Sequence, residues 1–166
     1  MHLYRVRHGL ATWPHWAGHD GERPLTPSGE RQLEAAGAGL ARRLTTPADP
    51  RPSLILHSPL LRARQTAAIL ARRLGCAAQP RAQGLLAPGF DLDALNLLLA
   101  EQDLAQPLML IGHNPDMMDV VNDLAGQPVK FSEGTVAHLQ LGGPARGRLL
   151  WTAPAEDLAR AAPPEK

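Results

Sequence analysis

The chain has a single cysteine, Cys76, among its 166 residues, so it cannot form an internal disulfide. It also lacks the charged region followed by an apolar stretch that marks an N-terminal signal peptide. Its longest apolar runs, near residues 97–100 and 108–111, are far shorter than the roughly 20 residues needed to cross a bilayer. We therefore expect a soluble cytoplasmic protein with no membrane partner.

Aromatic residues make up only 4% of the chain, and neither sign of charge is in excess, with 17 basic against 16 acidic side chains. Stacking on bases needs aromatic rings, and contact with a nucleic-acid backbone needs a basic surface, so we expect no nucleic-acid partner. Hydrophobic residues still reach 44%, which is typical of a globular domain. The length predicts one domain, which we place at residues 1–153, followed by a polar C-terminal tail at residues 154–166.

Alternating apolar patterns predict both strands and helices. Strands are predicted at residues 1–6, 54–56, 77–83 (weakly), 108–111, 135–141 and 148–152. Helices are predicted to begin at Thr26 with Pro27 and at Ser58 with Pro59, the second ending at Gly75, and to cover residues 91–100 and 116–125. This alternation predicts an α/β fold, a three-layer α/β/α sandwich with a mostly parallel central sheet.

Basic side chains follow three of these strands at the point where each strand ends. Arg7 and His8 follow the first strand and His113 a later one, while Ser58 follows the second strand and Arg62 lies in the first turn of the next helix. Such sheets bind ligands at the carboxyl ends of their strands, so we expect these side chains to converge. Paired guanidiniums match the oxygens of a phosphoryl group. The sequence therefore predicts a phosphate pocket.

Positive charge in such a pocket would also decide the state of its two histidines. It disfavours a protonated imidazole, so one ring can stay neutral near pH 7 and offer a nitrogen to phosphorus as a nucleophile. The other ring can stay charged when phosphate is bound and stabilise the transferring group.

Several motifs, in their order along the chain, resemble those of the histidine phosphatase superfamily. They are R-H-G at residues 7–9, S-P-L-L-R-A-R-Q-T at residues 58–66 and G-H at residues 112–113. The stretch R-P-L-T-P-S-G at residues 23–29 further resembles the small SixA-type phosphohistidine phosphatase branch. The resemblance covers about residues 1–152 and implies a phosphoglycerate mutase-like fold.

The resemblance also implies roles for the matched residues. His8 would be the catalytic nucleophile and become a phosphohistidine, while Arg7, Arg62 and His113 would bind the phosphoryl oxygens. No metal or other cofactor would be needed. Our further candidates, for substrate binding, are Gly9, Ser58, Asn114 and Trp13.

Two departures from the larger family members narrow the activity. Leu10 and Ala11 stand where mutase-like members have Glu followed by Thr or Ser, which favours a phosphatase over a mutase. No residue matches the acid that protonates the leaving oxygen in those members, and the remaining candidates are Asp20, Glu22, Asp91 or none. A phosphoramidate needs less help from an acid because its leaving nitrogen is readily protonated. We therefore expect protein phosphohistidine as the substrate, with small phosphomonoesters as the alternative.

Other interpretations of the same residues stay open. A phosphate or phosphopeptide binding module would hold an anion with the same arginines and turn nothing over. His15 and His19 lie four residues apart, but Pro14 and Gly18 disfavour the helix that would align them, so we expect no metal site. Trp13 either grips a substrate at the mouth of the site or anchors its loop. We expect a monomer.

Overall fold

A six-stranded sheet lies between two layers of helices in the computed structural model, which describes residues 1–103, 105–143 and 146–161. The strands are β1 (His2–Arg7), β2 (Leu54–His57), β3 (Arg81–Ala82), β4 (Leu108–Gly112), β5 (Val136–Gly143) and β6 (Arg146–Ala153). The helices are α1 (Pro27–Arg43), α2 (Leu61–Leu74), α3 (Leu92–Ala100), α4 (Asp116–Ala125) and α5 (Ala155–Arg160). Two short 3₁₀ helices cover Asp20–Glu22 and Gly84–Leu86. In the part of the chain that is described, no helix has the length and apolar character of a membrane span.

The order of the strands across the sheet is β3-β2-β4-β1-β5-β6. The first four strands of this order pair in parallel, whereas β5 runs antiparallel to β1, and β6 antiparallel to β5. Only residues 144–145 separate β5 from β6, which is too few for the crossover that a parallel pair needs. As a result, the carboxyl ends of β2, β4 and β1 lie side by side at one edge.

Each face of the sheet buries an apolar core against helices. Helices α1, α2 and α5 cover one face, where Leu40, Leu70 and Leu158 are buried. Helices α3 and α4 cover the other face with Leu98 and Val121. The predicted three-layer α/β/α sandwich is confirmed.

Local signals place most of the helix ends. Thr26 accepts a hydrogen bond from the N–H of Gly29 and caps α1, as predicted. Gly75 ends α2 in the left-handed conformation with a φ of 65°. Asp91 caps α3 by accepting a hydrogen bond from the first turn of that helix. These positions agree with the sequence because each signal acts within a few residues.

The start of α2 differs from the prediction. The sequence predicts that Ser58 caps this helix, but α2 begins at Leu61 and its N-cap residue, Leu60, makes no side-chain capping bond. The hydroxyl of Ser58 pairs instead with a histidine of another strand end. A tertiary contact has replaced the local one.

The segment predicted to be a polar tail also differs. Residues 155–160 form α5, because Ala155 and Leu158 find an apolar surface on α1 and become buried. Gly39 of α1 permits this approach, since a Cβ at that position would lie 1.8 Å from the carbonyl oxygen of Leu158. Residues 162–166 of the predicted tail lie outside the described residues.

A polar network fastens the segment between α1 and β2 to the sheet. One carboxylate oxygen of Asp49 accepts hydrogen bonds from Nδ1 of His138 at 2.9 Å and from Nε1 of Trp151 at 2.5 Å. Nε2 of His138 lies 2.9 Å from Nδ1 of His2, and Tyr4 stacks on the His138 ring. Burial pushes the pKa of Asp49 upward, but the two hydrogen bonds, together with the charges of His138 and Arg43, outweigh it and leave the pKa lowered.

Candidate active site

The side chains predicted to converge do meet at the carboxyl edge of the sheet. Arg7 and His8 lie at the end of β1, His113 follows β4, and Arg62 projects from the first turn of α2. They line a cleft of about 240 Å³. The other lining residues are Ala11, Thr12, Arg23, Pro88, Asn114 and Glu133.

The ring of His8 has a fixed tautomer. Its Nδ1 lies 2.7 Å from the carbonyl oxygen of Gly9, which only accepts, so Nδ1 carries the proton. The N–H of Gly9 is held in turn by the hydroxyl of Thr66 at 3.1 Å. Nε2 of His8 is therefore unprotonated, and its lone pair receives a long hydrogen bond, 3.3 Å, from Nε of Arg62.

The surroundings of His8 keep this ring neutral. Burial is the largest cause and lowers the pKa of His8 from 6.5 to about 4. The hydrogen bond to Gly9 opposes this shift, while the charges of Arg62 and Arg7 add to it. Near pH 7 the free imidazole thus presents an unprotonated nitrogen to the cleft.

His113 is the second ring, with its centroid 5.1 Å from that of His8. Its Nε2 lies 2.7 Å from Oγ of Ser58, and its Nδ1 is buried without a partner in the described residues. Burial, followed by the charges of His8 and Arg62, lowers the pKa of His113 to about 3. In the free site this ring is therefore neutral as well, whereas the sequence predicts a charged second histidine once phosphate is bound.

Asp20 joins two of the arginines. Arg62, which is only 5% exposed, donates to the Asp20 carbonyl at 2.9 Å and to Oδ2 at 3.1 Å. Arg23 donates to Oδ1 from both Nε and Nη2, at 3.1 and 3.0 Å. These bonds, the one from Arg23 first, lower the pKa of Asp20. An ionised carboxylate has no proton to give, so near neutral pH this candidate does not act as a general acid.

Glu133 pairs with the remaining arginine of the cleft. Its carboxylate lies 2.8 Å from Nη2 of Arg7, and the carbonyl oxygen of Phe131 accepts from Nη1 at 3.0 Å. Nε of Arg7 and Oδ1 of Asn114 are buried without partners among the described residues. Both residues line the cleft, so each keeps an unpaired polar atom at this site. Sequence reasoning missed Glu133 because it belongs to no motif and lies in a loop before β5.

The four substrate-binding candidates have different positions. Asn114 lines the cleft. Gly9 and Ser58 are buried and bind the rings of His8 and His113. Trp13 lies outside the lining, and its Nε1 donates to the carbonyl of Pro24 at 2.8 Å. The indole of Trp13 therefore anchors its loop, and a role for this residue in substrate binding stays a prediction.

The other two acid candidates, Asp91 and Glu22, are not among the residues that line the cleft. Asp91 caps α3, as described above, and lines a separate surface pocket with Asp93 and Asp116. Glu22 is exposed in the first 3₁₀ helix. Among the described residues, no group of three or more His, Cys, Asp or Glu side chains is arranged to hold a metal ion.

Comparison with known proteins agrees with these motifs. The sequence profile of the histidine phosphatase superfamily (branch 1) matches residues 3–83. An uncharacterized protein of Picosynechococcus sp. is 41% identical over 120 residues, which cover 70% of this chain and 68% of that protein.

Solved structures share the fold over nearly the whole chain. The protein histidine phosphatase SixA complexed with tungstate has a TM-score of 0.82 at 24% identity, covering 95% of this chain and 99% of that one. A putative SixA from Agrobacterium tumefaciens has a TM-score of 0.75 at 27% identity, covering 92% and 97%. A mycobacterial glucosyl-3-phosphoglycerate phosphatase has a TM-score of 0.64 at 19% identity, covering 90% and 96%. The predicted phosphoglycerate mutase-like fold is confirmed, and the chain belongs to the histidine phosphatase superfamily as one of its phosphatases.

Proposed function

We propose that this phosphatase works without a metal and forms a phosphohistidine on Nε2 of His8, with protein phosphohistidine as its substrate. The observation that carries the proposal is the hydrogen bond from Nδ1 of His8 to the Gly9 carbonyl, because it leaves the lone pair on Nε2. A neutral ring with a fixed lone pair is what attack on phosphorus requires.

In the first step, Nε2 of His8 attacks phosphorus, and the bond from phosphorus to the leaving imidazole nitrogen breaks. That nitrogen takes a proton from solvent. In the free site, Nε of Arg62 donates a hydrogen bond to Nε2 of His8 at 3.3 Å. As the N–P bond forms, Arg62 donates this hydrogen bond to a phosphoryl oxygen instead. In the second step water attacks the phosphoryl group, and the new O–P bond replaces the N–P bond. His8 regains its lone pair, and the phosphate leaves with both protons of the water.

Charge stabilisation in both steps comes from the cationic side chains of the cleft. Arg7, Arg23 and Arg62 line it, and His113 lies beside the nucleophile. Guanidiniums fixed before the reaction stabilise phosphoryl oxygens without having to reorganise. Their carboxylate partners, Asp20 and Glu133, hold them in place in the free site.

Two features favour a phosphorylated side chain of a protein as the substrate. The cleft, at about 240 Å³, is smaller than the roughly 300–1,000 Å³ of sites that enclose small molecules, so most of the substrate stays outside it. Asp20 is ionised, and neither Asp91 nor Glu22 touches the reacting groups, which suits a leaving nitrogen better than an alkoxide.

The proposal is tested by hydrolysis of an aryl phosphate and of a phosphohistidine protein, each with and without EDTA. We expect turnover of both that EDTA does not change, and His8→Ala should abolish it. Acid quench of the wild-type protein mixed with ³²P-labelled substrate should trap a phosphoenzyme that is labile in acid and stable in base.

Other results would select another function. Activity retained in His8→Ala would overturn the proposal, and an acid-stable phosphoserine would move the nucleophile to Ser58. Turnover of small phosphomonoesters alone would favour the small-molecule alternative, and the mycobacterial neighbour is named for such a compound, glucosyl-3-phosphoglycerate. Binding of phosphate with no turnover would indicate a binding module.

A further inference from the structure

Ser58 is fully buried directly behind the second histidine of the cleft. Its Oγ lies 2.7 Å from Nε2 of His113 and accepts a long hydrogen bond, 3.3 Å, from the N–H of Leu60. Among the described residues these are its side-chain partners. A serine hydroxyl has one proton to donate, so this proton either goes to Nε2 of His113 or has no acceptor.

The two neutral tautomers of His113 leave different atoms unsatisfied. With the proton on Nδ1, Nε2 accepts from Ser58, and one buried group, the N–H of Nδ1, is left without a partner among the described residues. With the proton on Nε2, two buried groups are left without a partner in the described chain, the Ser58 hydroxyl proton and the Nδ1 lone pair. The first tautomer leaves fewer buried polar groups unpaired and is therefore favoured.

We propose that Ser58 is a positioning residue that holds His113 as a neutral imidazole with its proton on Nδ1. In this state His113 donates a hydrogen bond to a phosphoryl oxygen and is not a cation. The kinetic consequence rests on the proposed function, whereas the tautomer itself rests only on the contact between Ser58 and His113.

The charges that face His113 support a neutral donor. His8, Arg62 and Arg23 disfavour a positive ring, and the partly opposing charge of Asp20 is already shared between two guanidiniums. A phosphoryl dianion entering the cleft meets three arginines before it needs another cation. A directed N–H adds a hydrogen bond without burying a further charge.

Nitrogen-15 NMR reads the tautomer directly. Long-range ¹H–¹⁵N spectra of the labelled protein at pH 7 distinguish protonated from bare ring nitrogens, and the His113 signals are assigned by their loss in His113→Gln. We expect a protonated Nδ1 and a bare Nε2, with and without sodium tungstate as an oxyanion probe. A protonated Nε2, or an imidazolium in the presence of tungstate, would overturn the inference.

Variants of Ser58 connect the tautomer to turnover. Ser58→Ala should shift the His113 signals toward a mixture of tautomers and lower kcat about 10- to 100-fold, as loss of other groups that orient a catalytic side chain does, with a smaller change in KM. Ser58→Thr keeps the hydroxyl and should restore both the spectrum and most of kcat. Ser53→Ala, which removes an exposed hydroxyl bonded to the Pro107 carbonyl, is the matched control and should change neither.

The outcomes separate this inference from the proposed function. If His8→Ala stays active while the wild-type spectrum shows a protonated Nδ1, the proposed function fails and the tautomer stands. If His8→Ala is inactive and Ser58→Ala retains both full kcat and the wild-type tautomer, the role of Ser58 is refuted. Should neither Ser58 variant fold, the wild-type spectrum with tungstate still decides.

Discussion

At the scale of single residues, burial keeps two histidines of the cleft neutral near pH 7. His8 and His113 are both buried beside guanidiniums, and burial is the main reason that each has a lowered pKa. If His8 is the nucleophile, as we propose, its unprotonated Nε2 needs no general base to activate it.

The lowered pKa of His8 predicts an unusual pH dependence. Protonation of Nε2 stops attack, so kcat/KM should hold down to about pH 4 and fall only below it, rather than at the ordinary 6.5. Initial rates with an aryl phosphate from pH 3.5 to 8, corrected for ionisation of the substrate, measure this limb. A fall centred near pH 6.5 would contradict the structure.

Arg62 should not be replaceable by lysine. Its guanidinium contacts Nε2 of His8 and Asp20 at the same time, and an ammonium on a flexible stem cannot reproduce that planar set of donors. Arg62→Lys should lower kcat by about 10²- to 10³-fold, the usual effect of losing a fixed donor to the transition state. Arg64→Lys, an exposed change in the same helix, is the control and should retain wild-type kcat.

At the scale of elements, the sequence predicted what local chemistry determines. The cap at Thr26, the stop at Gly75 and the apolar run of β4 each act within a few residues, and all three agree with the structure. Ser58 and α5 could not be predicted in this way, because their partners lie on other elements. The hydroxyl prefers a histidine 55 residues away to the helix that follows it.

For the site as well, the sequence predicted the residues that carry a motif and missed those whose position depends on contacts with other elements. The motifs placed Arg7, His8, Arg62 and His113 at one edge because parallel strands end there. Glu133 reaches that edge from a loop with no sequence signal, and its role depends on a contact with Arg7. Trp13 carried an ambiguous signal, since an indole can bind a ligand or anchor a loop, and only the structure shows its bond to Pro24.

The contact of α1 with α5 predicts a sensitive glycine. Alanine is a better helix former than glycine by about 1 kcal/mol, yet Gly39→Ala should destabilise the protein, by about 1–3 kcal/mol, because its Cβ would meet the backbone of Leu158. Urea unfolding measures the change. Gly84→Ala, where a Cβ meets nothing within 4 Å, is the matched control, and equal stabilities would contradict the packing.

At the scale of the whole molecule, the buried histidines make stability depend on pH. Their pKa values are lowered in the folded state, so between pH 6.5 and about 4 the unfolded chain binds more protons than the folded one. Stability is then greatest above pH 6.5 and falls as the pH is lowered, by up to about 1.4 kcal/mol per pH unit for each such histidine.

Unfolding in urea at pH 7, 6 and 5 tests this dependence. The free energy of unfolding of the wild-type protein should fall from pH 7 to pH 5, and that of the double variant His8→Gln, His113→Gln should fall less steeply. The double variant should keep some pH dependence, because His2 and His138 also have lowered pKa values through burial. A wild-type stability that is the same at pH 7 and pH 5 would refute the assignment.

The strand order separates the residues at the strand ends from the loop that forms the rim of the cleft. Its reactive groups stand on three neighbouring strand ends and one adjoining helix, whereas residues 10–24, which supply Ala11, Thr12 and Arg23 to the rim, form a connection outside the sheet. That connection also carries Arg23 and Asp20, and Asp20 binds the buried Arg62. A graft from a relative would therefore change the rim without disturbing Arg62 only where the incoming segment keeps these two residues.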